Sequence, residues 1–275
     1  VGSDGNSDWR LGMMQGTSPS VAALPNGGFE VAFQANTSDL WAVGSDGNSD
    51  WRLGMMQGTS PSVAALPNGG FEVAFQANTG DLWTVGSDGN SDWRLGMMQG
   101  TSPSVAALPN GGFEVAFQAN TGDLWTVGSD GNTDWKLGMR AGTSPSITGL
   151  PNGGFEVAFQ ANTSYLWTVG SDGAADWKLG MMSGTSPSIA GLPNGGFEAA
   201  FQANTSDLWS VGSDGSSDWH LGMRAGTSPS ITGLPNGGFE VAFQANTSDL
   251  WSVGSDGNSD WHLGMRAGTS PSITG

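Results

Sequence analysis

The chain contains no cysteine, and that absence removes two classes of structure at once. No disulfide framework can hold it together, and no thiolate is available for a metal centre. Basic residues are nearly as scarce: eight lysines and arginines stand against 25 acids, for a formal net charge of −17. Such a surface repels phosphate backbones and anionic lipid, so nucleic acid is excluded as a partner. No run of eighteen apolar residues occurs, so no membrane insertion is expected. The opening Val1-Gly2-Ser3 has neither the basic nor the apolar region of a signal peptide, and the chain is expected to be soluble. Histidine occurs only at His220 and His262, positions where other copies of a repeat carry Arg or Lys. No Ser-His-Asp or Cys-His set recurs, so the chain is not read as an enzyme, and no cofactor is expected.

What is abundant is glycine, 46 of 275 residues, and it recurs in register. The stretch from Asn26 to Leu40, closed by Trp41, returns almost unchanged, with its first phenylalanine at Phe29, Phe71, Phe113, Phe155, Phe197 and Phe239. The step is 42 residues every time. A fixed period in this range marks units that cannot bury an apolar face alone and must stack or close on themselves.

Each unit reads as four short strands. Ser18 to Leu24 is the first, followed by Pro25-Asn26-Gly27-Gly28, where Asn-Gly predicts a type I′ hairpin turn with positive φ at both central residues. Phe29 to Ala35 alternates, with Phe29, Val31 and Phe33 on one face and Glu30, Ala32 and Gln34 on a face expected to be wet. Leu40 to Val43 and Trp51 to Met55 complete the unit after turns at 36–39 and 44–50. Four antiparallel strands per 42 residues is the arithmetic of a β-propeller blade. Residues 1–275 therefore read as one all-β domain of six repeats plus a 23-residue partial repeat. Six closed blades are expected, with 8–13 and 260–265 competing to finish the last, and a piece of a seven-bladed array is the alternative.

The string Ser18-Pro19-Ser20, Gly27-Gly28-Phe29-Glu30-Val31-Ala32-Phe33, Asn36-Thr37-Ser38-Asp39-Leu40-Trp41, then Trp51 and Leu53-Gly54, resembles the blade signature of bacterial propeller lectins of the Photorhabdus type. More distantly it is similar to tectonin and tachylectin propellers. The resemblance implies a ring of four-stranded blades with carbohydrate sites, often for fucose or methylated sugars, in pockets between neighbouring blades. It also implies a secreted, extracellular bacterial protein whose partners are glycans on cell surfaces or glycoproteins. The chain departs from the pattern at Gln34, where a basic residue is common, and at Ala42-Val43, where further aromatics are common.

Thirteen tryptophans form two series, Trp9, Trp51, Trp93, Trp135, Trp177, Trp219 and Trp261, and Trp41, Trp83, Trp125, Trp167, Trp209 and Trp251. An indole stacks on the C–H patch of a sugar, and Gln34, Asn36 and Asp39 could bond its hydroxyls; alternatively the indoles seal blade packing and the polar residues serve the turn. The Trp9 series, on the outer strand, is the better candidate for an exposed ring edge. Asp4-Gly5-Asn6-Ser7-Asp8 spaces three oxygen side chains like the opening of a calcium loop, but no Glu completes a shell, and a solvated hairpin is expected instead of a metal site. The functional expectation is a multivalent lectin, with a non-catalytic scaffold, natural or engineered, as the alternative. Surplus terminal strands could pair two molecules into a homo-oligomer.

Overall fold

The computed structural model describes residues 11–47 and 49–274, which form six four-stranded antiparallel sheets. In the first blade β1 (Ser20–Ala23), β2 (Phe29–Gln34), β3 (Asp39–Gly44) and β4 (Ser49–Gly54) pair in chain order. The same unit returns over 62–96, 104–138, 146–180, 188–222 and 230–264. The all-β propeller of four-stranded blades is therefore as the repeat predicted.

The wet face expected for Glu30, Ala32 and Gln34 is corrected. In the second blade every residue of the corresponding strand, Phe71–Gln76, is buried. The reason is that the second blade has another blade on each side. Val63, Phe71, Val73, Phe75 and Val85 of the second blade pack against Ala22, Ala32, Leu40 and Met55 of the first. Bulky side chains thus enter a face kept shallow by alanine, and four further clusters repeat the arrangement. Ala32, Ala74 and Ala116 have no exposed surface, so a larger residue there would hold two sheets apart. Each fully buried phenylalanine contributes roughly 1.5–3 kcal/mol of transfer free energy to these junctions.

The turns follow the residues but not always the expected type. Between β1 and β2 the only positive φ is at Gly27, 88°, while Gly27 N donates to Leu24 O at 3.0 Å. Pro25 presets the first central residue, Asn26 follows in an ordinary conformation, and Gly27 takes the left-handed place, so this is not a type I′ turn. In the turn between β2 and β3, position 38 is left-handed in every copy: Ser38 has φ 68° and its counterpart Gly80 has φ 89°. Glycine adopts this conformation freely and serine does not, so the serine copies carry local strain.

The inner strands approach closely around a central cavity of about 390 Å³ lined by Ser20, Ser62, Ser104, Ser146, Ser188 and Ser230. These hydroxyls link blades: Val63 N donates to Ser20 Oγ at 3.1 Å and Val105 N to Ser62 Oγ at 3.1 Å. At the outer edge the chain leaves β4 through Met55, which bridges to Ala77 of the next blade. Residues 259–264 complete the sixth blade, while Met13 bridges to Ala35 of the first. The two terminal stretches expected to compete therefore take different places; 8–10 lie outside the described residues.

Candidate functional site

Of the two tryptophan series, Trp9 lies outside the described residues, as do the side chains of Trp51, Trp93, Trp135, Trp177, Trp219 and Trp261. Trp41, Trp83, Trp125, Trp167, Trp209 and Trp251 are half-buried. Each sits on the third strand next to a phenylalanine of the second, with centroids 6.4 Å apart for Phe33 and Trp41. Four of them carry a side chain over the ring or against its edge. Arg52 lies over Trp41 at 5.0 Å, Arg94 over Trp83 at 5.2 Å and Lys136 over Trp125 at 5.3 Å, while His220 meets Trp209 edge-on at 4.3 Å. The variable Arg, Lys or His thus shares one property, a cation or polar ring edge that suits an indole face. The indole N–H groups of Trp41, Trp83, Trp125 and Trp209 are buried without a hydrogen-bond partner. Sealing of blade junctions describes this series better than an open sugar platform.

Gln34 is corrected as a hydroxyl partner. Its side chain is fully buried, with Nε2 donating to Met56 O at 2.8 Å and Oε1 accepting from Gly58 N at 2.9 Å. Both ends are committed to the link that runs to the next blade. Asn36 is exposed, with its amide lying over Gly12, where a Cβ would come within 2.7 Å of Nδ2. Asp39 accepts from Thr37 Oγ1 at 2.8 Å. Asn36 and Asp39 remain available at the turn between β2 and β3, and Tyr165, 43% exposed, replaces the acid in one copy.

A cavity of about 540 Å³ is a mouth of the central channel ringed by Leu108, Pro109, Leu150, Pro151, Leu192 and Pro193. It offers almost no side-chain polar group to orient a ligand. The more suitable place is at the junction of the first two blades, where about 270 Å³ is lined by Asn26, Phe29, Glu30, Ser45 and Asp46 on one side and Gly70, Phe71 and Ser87 on the other. Two carboxylates converge there: a Cβ at Gly44 would lie 2.9 Å from Glu30 Oε2 and 3.0 Å from Asp46 Oδ1. The same convergence recurs at Gly86 between Glu72 and Asp88, and at Gly128 between Glu114 and Asp130. Sequence reading missed Asn26, Glu30, Ser45 and Asp46 as a set because they are brought together by the pairing of β2 with β3 and closed into a pocket only by Gly70, Phe71 and Ser87 of the next blade.

The two acids experience opposite environments. Burial pushes Glu114 up to about 7, the Thr126 hydroxyl opposes the shift, and the nearby Asp134 and Asp130 carboxylates reinforce it. Asp130 is held below the ordinary carboxylate value, chiefly by the backbone N–H of Asn132 at 2.9 Å and then by its side-chain amide at 2.7 Å. Asp88 and Asp256 are lowered in the same way by Asn90 and Asn258. The acid at the start of each of these loops is thus engaged within its own turn; 4–8 and 48 lie outside the described residues. Among the described residues no three acidic or histidine side chains gather.

Linkage gives Glu114 a signed consequence. Between its ordinary 4.5 and about 7, the folded chain retains a proton that the unfolded chain has released. Stability therefore falls as pH rises through this window and levels off above it. After allowing for partial solvation, the contribution is on the order of 1–2 kcal/mol. Urea midpoints should be lower at pH 8 than at pH 5.5, and Glu114→Gln should remove this group's share of the difference; a midpoint rising over that interval with no response to the substitution contradicts the assignment.

No family model matches the chain, and no curated protein matches it. Solved structures do resemble it. The six-bladed fucose lectin of Aleuria aurantia aligns with TM-score 0.62 at 13% identity, covering 94% of this chain and all of that one. Virginiamycin B lyase of Staphylococcus aureus aligns with TM-score 0.64 at 11% identity over 94% of this chain and 90% of its own. SapL1 lectin, solved with alpha methyl fucoside, aligns with TM-score 0.62 at 12% identity over 91% of this chain and 96% of its own. At such identities the likeness is one of fold.

Proposed function

We propose that the protein is a multivalent lectin for neutral glycans, with one shallow site at each blade junction. The observation that carries this reading is the pocket between the first two blades, where an amide, two hydroxyls and two carboxylates converge beside phenylalanine rings. Sugar hydroxyls donate to carboxylates and amide oxygens, while a C–H patch packs on an aromatic edge. The volume of about 270 Å³ suits a single sugar ring. A net charge of −17 disfavours sialylated or sulfated glycans and favours an uncharged sugar. The fucose ligands of two lectins with similar folds, together with the resemblance to Photorhabdus-type propellers, support fucose or a methylated sugar as the first ligands to test. In this proposal the Trp9 series supplies stacking surface from the outer strands, and Asn36 and Asp39, at the other end of β2 and β3 from Glu30 and Asp46, offer a separate, secondary set of hydroxyl partners. Binding is the whole activity, without a catalytic step. Repetition of a weak site around a rigid ring raises avidity on a dense glycan surface by roughly 10²–10⁴. The same reading takes the place of action as extracellular.

A glycan array probed with the intact chain tests this. Binding to neutral, fucose-type glycans is expected, and it should vanish when Asp46, Asp88, Asp130, Asp172, Asp214 and Asp256 are all changed to Ala, with circular dichroism unchanged. Those described side chains are exposed, so their loss leaves the blades intact. Silence of the folded wild-type chain across the array would leave the scaffold reading in its place.

A further inference from the structure

Between the sixth blade and the first, two apolar faces lack the cover that every other blade face has. On the sixth blade Leu263 is 59% exposed, and Leu250 and Met265 are half-buried. Their counterparts in the second blade, Leu82 and Met97, are 0% and 3% exposed. On the first blade Val21, Phe29 and Val31 are half-buried, whereas Val63, Phe71 and Val73 of the second are buried. Had these faces met, each would have buried the other as at the remaining junctions.

Both edges of the gap are spanned by chain that keeps the register of the repeat. Toward the channel, Ser228 N donates to Ser270 Oγ at 3.0 Å and Ile273 N to Ser230 Oγ at 3.2 Å. These bonds join one inner strand to the next elsewhere, so 270–274 holds an inner-strand place beyond the sixth blade. Toward the outside, Met13 pairs with Ala35 as Met55 pairs with Ala77, so Met13 holds the place that follows a fourth strand at the other junctions. Arg266 and Gln15 join the two sides: with the Gln15 amide turned to satisfy both groups, its oxygen lies 2.6 Å from Nη1 and Nη2. The matching pair inside the ring is Met56 and Gln99, 43 residues apart. Arg266 and Gln15 stand in that relation only if the repeat count wraps after seven places. The seventh place holds an inner segment and the end of an outer one, and among the described residues nothing occupies its second and third strand positions.

We propose that this slot is a docking site for a β-hairpin carrying the repeat's own second- and third-strand pattern. Its Phe-x-Val-x-Phe face would enter the shallow surface of Ala242, Leu250 and Met265, and its Ala and Leu face would cover Val21, Phe29 and Val31. Its first strand would pair with 270–274 as β2 pairs with β1, Ser20 opposite Ala32. The slot demands a two-stranded element with both faces apolar, which continues the interface already built at the other junctions. A second folded copy has its corresponding strands enclosed in blades.

The test adds a peptide of sequence 66–84 to the intact chain. Binding at one peptide per chain is expected, with a raised melting temperature and slower hydrogen exchange in 20–23 and 259–264. A peptide carrying Phe71→Ser, Val73→Ser and Phe75→Ser should bind at least about 100-fold more weakly, as should the native peptide to a Leu263→Glu chain. To exclude a peptide that merely self-associates, the 66–84 sequence is also appended after Gly275, and the same protection is expected within one molecule. The proposal is overturned if the appended segment leaves exchange in 20–23 and 259–264 unchanged, if binding ignores these substitutions, or if sedimentation shows a dimer that itself protects these segments against exchange.

Discussion

Phe117→Ala is expected to lower the free energy of unfolding by about 3–5 kcal/mol, the cost of a large cavity in a core that cannot collapse around it. Phe117 has no exposed surface and lies among Val105, Phe113, Val115 and Val127 of its own blade and Ala74, Leu82 and Met97 of the preceding one. The walls of the resulting cavity belong to two hydrogen-bonded sheets, whose separation is fixed by every other contact along the junction. Closing the space would require moving a whole blade, so most of the lost contact goes unrecovered. The first blade provides an internal control. Phe33 occupies the same repeat position, but its cluster contains only Ala35 and Val43 with Met13, Val31 and Trp41, and no complete blade precedes it. Phe33→Ala should therefore cost distinctly less than Phe117→Ala in urea titrations that share one m-value. Equal losses would show that the junction does not supply the difference.

The contrast between these two phenylalanines also shows what could be read in the sequence. The 42-residue step and the alternation through Phe29, Val31 and Phe33 were sufficient for strands, blades and a radial arrangement. Alternation states that a strand has two environments, but it does not state that one of them is water. Glu30 and Gln34 looked like a solvated face because they are polar. The alanines between and opposite them, Ala32 and Ala42, were the available sign that another sheet comes close, since a wet face has no reason to be shallow. Likewise, the exchange of Arg52 for Lys136 or His220 was visible between copies, but not that these side chains cap indoles of the adjacent strand. Of the candidate site, Asn36 and Asp39 were legible as turn residues. The junction pocket was not, because Asp46 and Phe71 become neighbours through the angle between blades, which no single repeat encodes.

Gln118 offers the sharpest test of that reinterpretation, because the two roles considered for its repeat position predict different phenotypes. It is fully buried, with Nε2 donating to Arg140 O at 2.9 Å and Oε1 accepting from Gly142 N at 2.9 Å. Arg140 N in turn donates to Gln160 O of the next blade at 2.8 Å, so one side chain fixes the segment that sets how successive blades meet. Gln118→Ala removes the partner of the Gly142 N–H and one of the donors to Arg140 O, which keeps those from Thr143, and it should cost about 1–3 kcal/mol. Gln118→Glu separates the hydrogen bonds from shape. Ionised, the new carboxylate confronts the Arg140 carbonyl and should destabilise the fold at neutral pH. Protonated, it can donate to Arg140 O and accept from Gly142 N much as glutamine does. The Gln118→Glu chain should therefore recover stability relative to the unsubstituted chain as pH is lowered from 7 toward 4.5, while Gln118→Ala should show no comparable recovery. A residue whose role was to contact sugar would instead lose binding with its melting curve in place, and that outcome for Gln118→Ala would refute the clamp.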